Sequence, residues 1–169
     1  MNLKRYAFCI IGMLVALLVA STDVAYADAS SNKKANNEVE YTKAELRLMS
    51  ALIFCEAGSE PYAGKLAVGI VVMNRLESKS FASTVKGVIY QRGQFSPTRN
   101  GALPRALARY DAGKFTSANE KQCIKAAKAA LSGEKIVRYK GKNKNMDDYY
   151  YFSGYIRNAR YRISGHMFK

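Results

Sequence analysis

The chain has 169 residues and a formal charge of +14, from 27 Lys and Arg against 13 Asp and Glu. That length suits one domain with a real core and excludes two of ordinary size. Its charge favours polyanionic partners, and three cysteines with a single histidine lack the paired short spacings of a zinc site.

Residues 1–27 have the form of a secretion signal. Lys4 and Arg5 precede an apolar run over residues 7–20, shorter than the ~20 residues that cross a bilayer, and "AYA" supplies small residues at Ala25 and Ala27. Cleavage after Ala27 is expected, with no stable membrane span afterwards. Residues 28–41, small and polar, read as a flexible tether, and residues 42–169 as the folded domain. For an exported protein the natural partners are the acidic polymers of a cell wall. Nucleic acid, the intracellular alternative, is not expected.

A helix is expected over residues 42–57, with Thr42 and Glu45 in a capping-box pattern and Gly58 as the stop. At 100° per residue Glu56 falls inside the apolar arc of Leu46, Met49, Leu52 and Ile53, so it points inward. A second helix, 61–77, is apolar nearly all round and suits the middle of a domain; its β-branched run at 70–72 also permits a strand. A short helix over 84–90 follows, then "QRGQFSPTRNG" as an extended loop or hairpin. Residues 118–131 form an Ala/Lys helix stopped by Gly133. The charged stretch "RYKGKNKNMDD" reads as an exposed loop, and "DDYYYFSG" and "RYRISGHMFK" as short strands. The order implies an α+β fold.

Cys55 and Cys123 remain after removal of the leader, and two thiols in an exported domain usually pair. A disulfide between them would close a long loop, worth about 4 kcal/mol. The alternative is a Cys/His peptidase using His166.

A carboxyl on an apolar face is solvated, paired with a cation such as Arg75, or protonated. Burial would raise the pKa of Glu56, and the negative end of its helix would raise it further. An acid of that kind can protonate a leaving-group oxygen. Glu60, four residues on, is the possible second acid; its alternative role is to face the dipole of the next helix. Phe95 either meets a ligand or anchors its loop in the core.

The blocks "CEAGSEPYAGKLAVGIVVMNRLESKSF" and "GVIYQRGQFS", the Ala-rich helix, "YYF" and a late "GH" resemble the catalytic domain of the SleB/CwlJ-type cell wall hydrolases, the spore cortex-lytic enzyme family. This resemblance implies a lysozyme-like, mostly helical α+β domain with short C-terminal strands or a hairpin; no cofactor or metal is expected. It implies a secreted, wall-associated or cortex enzyme that cuts peptidoglycan glycan strands between N-acetylmuramic acid and N-acetylglucosamine, in the manner of a lytic transglycosylase. Glu56 would be the catalytic acid. Gln94, Phe95 and Ser96, with Tyr151, Phe152 and His166, would line the substrate groove, and Asn74 and Arg75 would serve as hydrogen-bonding scaffold. The competing class is a basic wall-binding module without catalysis.

Overall fold

The computed structural model describes residues 41–169; the expected leader and nearly all of the tether lie outside the described residues. Helices come first and short strands follow, the α+β order expected.

Helix α1 (Lys43–Ala57) starts at Thr42, whose hydroxyl accepts from the Glu45 N–H at 3.1 Å while the Glu45 carboxylate accepts from the Thr42 N–H at 2.9 Å. This reciprocal cap satisfies donors that a helix start leaves orphaned. Helix α2 (Tyr62–Glu77) is buried at every residue from Ala63 to Arg75. Its all-round apolarity therefore marks a central helix, and the strand alternative fails.

Helix α3 (Val85–Tyr90) is capped by Thr84. The segment after it forms a 3-10 turn (Ser96–Thr98), not the hairpin considered above. Helix α4 (Ala102–Asp111) was not anticipated, because Pro104 looks like a helix breaker. It falls in the first turn, where a missing N–H leaves no bond unmade. Arg47 of α1 clamps Asp111 at its far end through bonds of 2.5 and 2.6 Å.

Helix α5 (Ala118–Leu131) packs on both α1 and α2. A Cβ on Gly69 would come within 2.8 Å of the Ala130 Cβ and 3.2 Å of the Ile53 Cδ1, so glycine sets how closely these helices approach.

Strands β1 (Ile136–Tyr139) and β2 (Lys142–Asn145) form an antiparallel hairpin where an exposed loop was expected. Its turn places Lys140 and Gly141 at φ 49° and 77°, the sign that tight hairpin turns require. Val137 and the following Met146 are buried and hold it down. Strands β3 (Phe152–Ser153), β4 (Tyr161–Ile163) and β5 (His166–Phe168) make an antiparallel sheet in the order β3-β5-β4.

The end of α2 fastens the β region to the helices. Asn74 donates to the Met146 and Tyr149 carbonyls at 2.6 and 2.9 Å and accepts from Lys135 at 2.8 Å. Arg75 donates from Nε to the Tyr150 carbonyl at 2.7 Å. Among the described residues no helix is long and apolar enough to cross a membrane.

Candidate active site

Glu56 occupies the last turn of α1, half-buried beside fully buried Ala57. Its carboxyl makes no hydrogen bond or ion pair among the described residues. Burial pushes its pKa above the usual carboxylate range, and the positive charge of Arg75 pulls it part of the way back. The group is therefore neither free in bulk water nor locked to the guanidinium, the two conditions under which a raised proton affinity would vanish.

Arg75 is held by aromatic faces. Its guanidinium carbon lies 5.0 Å from the Phe95 ring centre, 5.2 Å from Phe81 and 5.5 Å from Tyr151. Rings so placed favour a cation that has left most of its water behind. Phe95 is 1% exposed. The expectation that it lines a groove is corrected: in its loop it is the apolar anchor, and it serves the site by seating Arg75.

Rings then lead from Phe95 to the β-sheet. Phe152 stands 6.1 Å from Phe95 and 5.2 Å from His166. His166 is half-buried, and burial lowers its pKa while the charge of nearby Glu60 opposes the shift. Glu60 turns its Oε1 to the Gly165 N–H at 3.3 Å, joining the α1–α2 turn to the β4–β5 turn. A Cβ at Gly165 would lie 2.8 Å from that oxygen, so a larger residue there would displace the Glu60 carboxylate from this position. The Glu60 backbone carbonyl also accepts from Lys65, a wholly buried lysine of α2. Glu60 thus fastens the turn that follows Glu56, a larger role than facing a helix dipole.

Buried polar atoms in folded proteins nearly always have partners. Among the described residues Glu60 Oε2, Arg75 Nη1, Gln91 Oε1 and His166 Nδ1 have none. Glu60, Arg75 and His166 belong to the connected set just described, and the Gln91 backbone carbonyl accepts from the Gln94 N–H at the start of the Phe95 loop. Such a set is suited to hydrogen-bonding a polar ligand. Gln94 is half-buried, Ser96 exposed and Tyr151 50% exposed, so these side chains are reachable from solvent.

Sequence reasoning missed Gln91 and Lys65 as participants. The signal for Lys65 was present, since a lone lysine in an apolar helix must bring its charge to a partner.

The expected disulfide is absent: Cys55 and Cys123 are both free thiols. Cys123 is fully buried in the helix interface and packs as a small apolar residue. Burial pushes both thiols up to about 11. Neither is then a ready nucleophile near neutral pH, which disfavours the Cys/His peptidase.

Comparison with known proteins gives a consistent pattern. The model of the family described as Cell Wall Hydrolase matches residues 59–169, a span that begins just after Glu56. The spore cortex-lytic enzyme of Bacillus cereus is 36% identical over 72 residues, 43% of this chain and 28% of that protein. Its counterpart in Halalkalibacterium halodurans is 34% identical over 76 residues, 45% of this chain and 23% of that protein. The similarity thus covers only about a quarter of these relatives' length.

Among solved structures, the catalytic domain of the germination-specific lytic transglycosylase SleB from Bacillus anthracis aligns with a TM-score of 0.50 at 22% identity, over 76% of this chain and 95% of that one. The catalytic domain of the Bacillus cereus SleB protein gives 0.52 at 22%, over 76% and 91%. These matches show the fold, which is lysozyme-like.

Proposed function

The chain belongs to the cell wall hydrolase family, and from that premise we propose that it is an exported enzyme that cleaves peptidoglycan glycan strands between N-acetylmuramic acid and N-acetylglucosamine, with Glu56 as its catalytic acid. The observation that carries this reading is the half-buried Glu56 carboxyl, unpaired and raised in proton affinity, with Arg75 nearby.

Glu56 delivers its proton to the glycosidic oxygen as the bond to the muramic C1 breaks. The positive charge of Arg75 steadies the carboxylate left behind. That carboxylate then takes the proton from the muramic C6 hydroxyl as its oxygen attacks C1, closing a 1,6-anhydro ring. No water enters, and one group serves as acid and then base. A hydrolytic route would need a second carboxylate to activate water or to act as nucleophile. Glu60 is the candidate for that role, because its Oε2 is buried and has no partner among the described residues.

Digestion of purified sacculi, followed by mass spectrometry of the fragments, tests both routes. The proposal expects products one water lighter than ordinary hydrolysis products, abolished in Glu56→Gln and retained in Glu60→Gln. Reducing ends that disappear with Glu60→Gln would replace the one-acid mechanism with the hydrolytic one. Sacculus binding without release of fragments would leave a wall-binding module.

A further inference from the structure

The tips of the two hairpins form a second, separate feature. Between them lies a cleft of about 500 Å³ into which Lys140, Lys142, Lys144 and Arg162 converge, with Tyr139 and Tyr161. No carboxylate lines it, and among the described residues none of these cations is in an ion pair. We propose that this cleft binds an extended phosphodiester polymer of the cell wall, a polyol-phosphate chain.

The strand register makes the cleft a built surface and not a random charge run. Lys142 pairs with Tyr139 and Lys144 with Val137. Cross-strand partners share a face, so both lysines and Tyr139 stand on the side where Val137 is buried. Two residues along a strand separate the lysines by about 7 Å, a distance comparable to that between successive phosphates joined by a short polyol. Lys144 is steadied against the Tyr149 and Tyr161 rings at 5.5 and 5.8 Å. Arg162 donates Nε to the Ser164 carbonyl at 3.0 Å, and its terminal nitrogens have no partner among the described residues.

The two hairpin turns frame the cleft. Lys140 and Ser164, one at each hairpin tip and both lining the cleft, are non-glycine residues at φ 49° and 47°. That backbone is what tight two-residue hairpin turns require, and it places both side chains at the rim of the cleft. Ser164 also precedes Gly165, whose N–H holds Glu60, so the cleft adjoins the proposed active site.

Three lysines act as spaced point charges and Arg162 adds a fork that a phosphate can accept, an array that suits a run of phosphates better than one carboxylate. The tyrosine faces are already met by cations, Tyr139 by Lys140 at 5.5 Å and Tyr161 by Lys144. They are not open platforms for stacked bases, which disfavours nucleic acid. The choice of polymer rests on the wall reading above; the cleft itself does not.

The test measures binding of the full chain to soluble poly(glycerol phosphate) by calorimetry at low salt. The double variant Lys142→Gln/Arg162→Gln alters two exposed positions of the cleft, and Lys121→Gln/Lys128→Gln removes the same charge from the exposed face of α5. Loss of phosphate contacts is expected to weaken the cleft variant about tenfold while the α5 control stays within about twofold. Lys140→Gly should also bind more weakly while melting no lower than wild type, since glycine tolerates the turn. Equal weakening in both double variants, tighter binding of polyglutamate or a single-stranded oligonucleotide, or no binding by wild type would overturn the proposal. Sacculi stripped of phosphodiester polymer should be digested equally by wild type and cleft variant. If wild type binds the polymer yet digests no sacculus, the enzymatic reading fails and the cleft stands.

Discussion

At the scale of single residues, the balance between burial and Arg75 at Glu56 has consequences of definite sign. A carboxyl whose folded pKa is raised contributes stability below the ordinary carboxylate pKa, and that contribution is lost as pH rises through the folded value. Glu56→Gln should therefore melt at or above the wild-type temperature at neutral pH, while fragment release falls about 10²- to 10⁴-fold, the usual worth of a general acid. Thermal melts and sacculus digestion on the same preparations check both halves. The same group sets the alkaline limb of the rate profile, since a donor must hold its proton. Arg75 lowers the Glu56 pKa, so Arg75→Gln should shift that limb to higher pH and reduce the maximal rate, whereas Arg75→Lys should leave the limb close to its wild-type position. A limb unmoved by Arg75→Gln would mean that another group titrates. The inward turn of Glu56 could be read from helical periodicity because it depends on neighbours within a few turns. Burial of Phe95 could not, since it depends on Phe152 and Arg75, which lie far along the chain.

Among the elements, α5 shows how a helix start can be tied to a distant partner. Glu120 accepts from the Thr116 and Ser117 N–H groups at 3.0 and 2.9 Å, from the Ser117 hydroxyl at 2.7 Å, and from Arg109 of α4 at 2.6 Å. Its carboxyl is 2% exposed. The hydrogen bond from Arg109, then that from Ser117, holds its pKa down at about 2. A depressed carboxyl contributes stability above its unfolded pKa, and that contribution is lost as pH falls through the folded value. Glu120→Gln should destabilise the fold at neutral pH, on the order of 2 kcal/mol for charge-assisted bonds. It should also remove the part of the acid unfolding limb that lies between the ordinary glutamate pKa and about 2, as followed by circular dichroism against pH. Caps and apolar periodicity made α1, α2, α3 and α5 legible in sequence. Helix α4 was hidden by Pro104, and the β1–β2 hairpin by lysines and asparagines that carry little strand preference of their own. Tertiary anchors, Val137 and Met146 for the hairpin and buried Leu103, Ala106 and Leu107 for α4, decide those elements.

For the molecule as a whole, charge and chemistry are separable by salt. The formal charge of +14 acts over distance on a polyanionic wall, but its reach shrinks from roughly 10 Å at 0.1 M salt to roughly 3 Å at 1 M. The Glu56 carboxyl is half-buried, and partly buried charges are screened far less than exposed ones. Raising salt across that range should therefore release the protein from intact sacculi while changing turnover of short, soluble glycan fragments far less. The two are measured as the fraction sedimenting with sacculi and the rate of fragment cleavage in the same buffers. A parallel fall of both would place the salt-sensitive step at Glu56 and Arg75, and the basic surface would then have no separate part in reaching the substrate. Retention of sacculus binding at high salt would instead require substrate contacts to the groups around Gln91, Tyr151 and His166, hydrogen bonds and ring faces that ions in solution weaken little.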